Sequence, residues 1–121
     1  MRLIALRGAT TVEANEPEPI LHATEELMGE LLVRNRLDAD AIVSCIFTLT
    51  EDLDAEFPAV AAREMGLSRV PLLCAREIPV PGALPRVIRV LMHCYPPAGH
   101  EPQHVYLGAA RKLRLDLEGA Q

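Results

Sequence analysis

Arg86–Cys94 is a mostly apolar run interrupted at Arg89 and His93 and predicts an extended strand in which Val87, Arg89, Leu91 and His93 share one face. Ile88, Val90, Met92 and Cys94 share the other. Leu3–Ala9 is a shorter apolar run that leads into Gly8-Ala9-Thr10-Thr11 and predicts a strand buried on at least one face. The period then changes. Ile20, Leu21, Thr24, Leu27, Met28, Leu31 and Leu32 recur at helical spacing, with Glu25, Glu26, Glu30 and Arg34 between them. Asn15-Glu16-Pro17 supplies the start of this helix, and it ends near Asn35. Ala41–Leu49 is rich in β-formers and predicts a central strand. Phe57-Pro58 opens a short helix over Pro58–Met65 that Gly66 stops, and Val70–Ala75 predicts another strand. Pro79–Pro85 is a loop, Tyr95–Gln103 a Pro-rich connection, and His104 to about Leu113 a fifth strand. The sum is one α+β (α/β-like) domain over residues 1–121: a mixed five-stranded sheet with one long and one or two short helices. A flexible tail is expected from about residue 116.

Composition narrows the function. Half of the 121 residues are hydrophobic, enough for a core, yet so short a chain leaves much apolar surface for oligomerisation to cover. The formal charge of −5 argues against nucleic-acid binding through a basic face, but allows a small anion held by local arginines. Cys45, Cys74 and Cys94 are odd in number and widely spaced, which fits neither a disulfide scaffold nor a structural zinc site. No apolar run reaches the length of a signal peptide or membrane span, so a cytoplasmic protein is expected. The glycines are isolated, Ser44 and Ser68 sit in no nucleophile elbow, and His22, His93, His100 and His104 lack metal-ligand spacing. No metal and no cofactor are expected.

Two features remain. Arg7 ends one apolar strand and Arg89 lies in the middle of another. A guanidinium among Val, Ile and Leu must reach water, pair with an acid, or face a pocket. Spacing alone leaves a structural ion pair, an edge strand and a carboxylate-binding pocket all open. The last would use the bidentate fork of Arg. Cys74 and Glu77 lie close together before the Pro-rich turn and could meet one ligand hydroxyl, or be a buried thiol and a solvated acid. Tyr106 reads as core or ligand contact, and Phe57 as a hydrophobic staple or a pocket wall.

Arg7-Gly8-Ala9-Thr10-Thr11-Val12-Glu13 resembles the opening signature of the trimeric α/β chorismate mutases. Phe57-Pro58-Ala59, Ala62-Arg63-Glu64, Val70-Pro71, Cys74 with Glu77, Ile88-Arg89-Val90 and His104-Val105-Tyr106-Leu107 follow in that family's order. Leu113-Arg114 with Asp116-Leu117 is similar to its C-terminal motif. The resemblance implies a homotrimer forming a pseudo α/β barrel, with active sites between subunits. It also implies an enzyme of aromatic amino-acid biosynthesis that turns chorismate into prephenate without a cofactor.

The resemblance further implies roles. Arg7 and Tyr106 hold substrate carboxylate, Arg89 faces the ether oxygen of the breaking bond, and Glu77 and Cys74 meet the ring hydroxyl. Phe57 and Leu113 are walls, Ala59 and Leu73 line the pocket from the neighbouring chain, and Arg63 and Arg114 lie at its mouth. Val60 stands where some members carry a lysine, and Leu115 replaces a proline common in the tail motif. Rival readings are a similar trimeric enamine/imine deaminase and a non-catalytic carboxylate-binding trimer. Neither a nucleic acid nor a membrane is an expected partner.

Overall fold

The computed structural model describes residues 1–113. Five strands form one mixed sheet: β1 (Ile4–Thr11), β2 (Ile42–Leu49), β3 (Leu72–Arg76), β4 (Val87–Cys94) and β5 (Val105–Tyr106), in the spatial order β3-β2-β4-β1-β5. Strand β4 runs antiparallel to both β1 and β2, while β3 is parallel to β2 and β5 parallel to β1. Helices α1 (Pro17–Arg34) and α2 (Pro58–Glu64) pack against each other and onto one face of the sheet. Both begin with proline in the first turn, where a missing N–H costs no helical hydrogen bond.

The two-residue period sorts side chains between the faces. Leu6, Cys45, Phe47, Val90 and Met92 are buried beneath the helices with Leu27, Met28 and Leu31 of α1. Arg7, Ile46, Thr48, Arg89, Leu91 and His93 fall on the opposite, outer face, which the helices leave uncovered. Gly8 sits where α1 comes closest: a Cβ there would lie 3.0 Å from Leu31 Cδ1 and 3.1 Å from Leu27 Cδ1 and Val90 Cγ1. The α1 C-terminus is tied down by Asn35, which is fully buried. Its amide nitrogen donates to Leu31 O and Gln103 O, while its oxygen accepts from Gln103 N and lies 2.9 Å from His100 Nε2. A buried amide with these partners carries little desolvation cost, and it clamps the Pro-rich connection to the helix.

The strands, the loop over residues 79–85 and both helices lie within a few residues of their expected bounds, with one correction. The fifth strand is not the ten-residue run expected from His104 to Leu113. It stops after Val105–Tyr106, and the chain turns into a 3-10 helix at Gly108–Ala110. Gly108 has φ +58, and Ala109 N donates to Thr11 Oγ1. That turn ends the pairing with β1 and swings the following residues onto the outer face, where Ala110 is buried in a small cluster with Ala9 and Val87. The expected flexible tail from about residue 116 lies outside the described residues.

Gly108→Ala forces a side chain into a left-handed conformation and places a Cβ 2.5 Å from Thr11 Oγ1. It is expected to cost about 1–3 kcal/mol in denaturant unfolding. Gly29→Ala, inside α1 with nothing within 4 Å of its Cβ, is expected to stabilise by up to about 1 kcal/mol in the same assay.

A pH effect comes from the core thiols. Burial, and then the nearby Cys94, push Cys45 up to about 12, and burial also raises Cys94. The folded state therefore favours the neutral thiols. Their contribution is complete below the ordinary thiol value of 9.0 and is lost as pH climbs toward 12. Urea midpoints are expected to fall above pH 9, and to fall less in a Cys45→Ala variant.

Candidate active site

Sheet register builds the site as a row across all five strands. Ala75 of β3 pairs with Thr48 of β2, Thr48 with Arg89 of β4, Arg89 with Ala9 of β1, and Ala9 with Tyr106 of β5. Arg7 stands two residues before Ala9 on β1, opposite Leu91, and so shares the same face. Its backbone N–H donates to His104 Nδ1 at 3.0 Å, which links β1 to the segment leading into β5.

Arg89 is the cation that sequence alone left open. Its Nε donates to Glu77 Oε2 at 2.9 Å, and the two side chains keep 33% and 15% of their surface. Glu77 follows β3 directly, held by its N–H to Leu49 O at 2.9 Å, two residues beyond Ala75. The extended period carries its carboxylate to the outer face. Thr48 Oγ1 donates to the same Glu77 Oε2 at 2.8 Å. The structure therefore joins two of the open readings: Arg89 is ion-paired, and it also borders a cavity. That cavity, about 380 Å3, is lined by Arg7, Gly8, Ala9, Ile46, Thr48, Arg89, Val90, Leu91 and Tyr106.

The geometry leaves donors to spare. Among the described residues only Nε of Arg89 is engaged, and its two Nη groups make no hydrogen bond. The Arg7 guanidinium has no acidic partner among the described residues. Two guanidiniums, one tethered and one without an acidic partner among the described residues, beside a cavity lined also by apolar residues, Thr48 and Tyr106, suit a small acid. Ile46 and Leu91 give this cavity an apolar wall beside the two charges.

The structure brings Arg7, Arg89, Glu77 and Tyr106 together, and Leu113 belongs to the outer-face cluster that includes Tyr106. It separates the remaining candidates from them. Cys74 faces the helix side, paired in register with Phe47, so it and Glu77 do not converge within one chain. Cys74 and Phe57 line a second groove of about 370 Å3 with Leu53 and Arg76. Phe57 and Leu73 are 65% and 61% exposed, Arg63 is exposed on α2, and Ala59 is buried in the core with little surface to offer a ligand. Arg114 lies outside the described residues. Thr48 is the residue that sequence reading missed. Its place on the Arg89 face of a predicted strand was visible, but a threonine in a strand carries no signal of its own.

The profile of the family described as chorismate mutase type I matches residues 3–117. The chain is 52% identical over 118 residues to Chorismate mutase AroH of Thermus thermophilus, covering 96% of this chain and 97% of that protein. It is 38% identical over 119 residues to Chorismate mutase AroH of Bacillus subtilis (strain 168), covering 97% and 94%. A solved structure of a chorismate mutase from Clostridium thermocellum superposes with a TM-score of 0.84 at 45% identity, covering 90% of this chain and 98% of that one.

Proposed function

We propose how this chain, which belongs to the chorismate mutase type I family and rearranges chorismate to prephenate, does so: in the cavity beside Arg89, completed by neighbouring copies in a homotrimer. The observation that carries this reading is the position of Arg89, anchored through Nε to Glu77 with its remaining donors bordering that cavity. The reaction is an intramolecular rearrangement, so no protein group has to form a covalent bond. The site must hold a flexible diacid in a compact reactive conformer and stabilise charge that appears as the C–O bond breaks.

Arg7 and Tyr106 bind substrate carboxylate, which orients the molecule. The Nη groups of Arg89 meet the ether oxygen as it becomes anionic. This contact is stronger in the transition state than in the ground state and so raises kcat. Glu77 Oε1 accepts the ring hydroxyl, and Leu113 closes one wall. Phe57, Leu73 and Arg63 serve the cavity of a neighbouring copy. Their exposure in one chain, away from Arg7 and Arg89, supports a site shared between subunits. The uncovered sheet face supports a trimer, since Leu91 and Leu73 are exposed apolar groups that partners would cover. Three unpaired thiols support a cytoplasmic setting, where such an enzyme would serve aromatic amino-acid synthesis.

A continuous assay of chorismate loss tests the central assignment. Arg89→Ala is expected to lower kcat by about 10²–10³ or more, with a smaller change in KM. Arg89→Lys is expected to remain poor, because a lysine has neither the fork nor the Nε anchor. Near-normal kcat in Arg89→Ala would refute the role. Sedimentation equilibrium is expected to give three times the 13.3 kDa chain mass, and a fully active monomer would refute the shared site.

A further inference from the structure

We infer that Thr48 is a positioning residue for the rearrangement, acting on Arg89 through Glu77. The inference deepens the reading of the site given above and rests on it. Thr48 and Arg89 face each other across the β2–β4 pairing, and both donate to one oxygen of Glu77, at 2.8 and 2.9 Å. The other carboxylate oxygen, Oε1, has no hydrogen bond among the described residues.

The physical consequence follows from the shapes of the two groups. A carboxylate held by one donor rotates about its terminal bond, because that torsion is broad. A second donor, fixed to a neighbouring strand, restricts the rotation and commits Oε2 to the protein. Oε1 then keeps one direction. The guanidinium is planar and rigid, so fixing where Nε points also fixes both Nη groups. The Thr48 hydroxyl thereby sets the aim of the cation as well as that of the free carboxylate oxygen. Preorganised donors need no reorganisation as charge develops, which is where a positioning residue contributes. The bland alternative is that Thr48 is only a β-branched filler of a half-buried strand position, which valine would fill as well.

The test is chorismate turnover by the full-length protein carrying Thr48→Val, which keeps the shape and removes the hydroxyl. Thr48→Ala removes the bulk as well, so the hydroxyl effect is read twice. Both are expected to lower kcat about tenfold, with KM moving less, a loss in keeping with one charge-assisted hydrogen bond. Thr48→Ser is expected to restore kcat to within about threefold of wild type. In a Glu77→Ala background nothing is left for the hydroxyl to hold, so adding Thr48→Val is expected to cost less than about twofold more. Wild-type kcat in Thr48→Val and Thr48→Ala would overturn the inference, as would a serine variant no better than valine. A full tenfold loss that persists without Glu77 would also overturn it, since Thr48 would then act on the substrate directly. Wild-type turnover and its collapse in Arg89→Ala report on the underlying reading separately, so Thr48 can fail while that reading stands.

Discussion

A single carboxylate oxygen, Oε2 of Glu77, is the point on which the candidate site is anchored. It accepts from Arg89 and from Thr48, and so ties the end of β3 to β4 and β2 at one point. Half-buried ion pairs are weak evidence for stability, because desolvation offsets much of the attraction. Their firmer use is geometric. Arg89 sits in a strand that otherwise holds Val, Ile, Leu, Met, His and Cys, and its half-buried charge is compensated by a partner there. Pairing through Nε alone provides that compensation and leaves the rest of the guanidinium for a ligand. A bidentate pair through the Nη groups would have closed the site.

The rest of the fold serves this arrangement by division of labour between the two sheet faces. The inner face is filled by α1, α2 and the core residues, and Gly8 lets α1 approach β1 closely. Because that face is packed, strand register cannot slip by one residue without turning core side chains to solvent. The same register lines up Thr48, Arg89, Ala9 and Tyr106 on the outer face. Rigidity built for stability on one side therefore becomes precision of placement on the other. For a reaction that depends on holding a conformer and a charge, such precision accounts for most of what the protein has to supply.

The turn at Gly108 matters in the same way. By ending β5 after Tyr106, it brings Ala110 against Ala9 and Val87 and draws Leu113 into the cluster that includes Tyr106. A longer β5 would have continued along the edge of β1 and kept Ala110 and Leu113 out of that cluster. Phe57 and Leu73, by contrast, stand exposed and outside the lining of the cavity beside Arg89.

Much of this was legible in the chain itself. The two-residue period across residues 86–94 placed Arg89 on a face opposite Val90 and Met92, and the helical period delimited α1 to within a residue. The ordered motifs from Arg7 to Leu113 pointed to the family that the comparisons show. Periodicity tells which side a residue faces, but not what lies across from it. The partner of Arg89, the hydroxyl of Thr48 on the same oxygen, and the cavity beside them all arise between segments far apart in sequence. Strand pairing decides them, and the burial of the other face selects that pairing. The shortness of β5 also went unread, although Gly108, with its positive φ, is followed by Ala109-Ala110-Arg111-Lys112, which are poor strand formers. Sequence determined the elements, their faces and the family; tertiary structure decided which side chains meet, since contact is set by register, which no local stretch encodes.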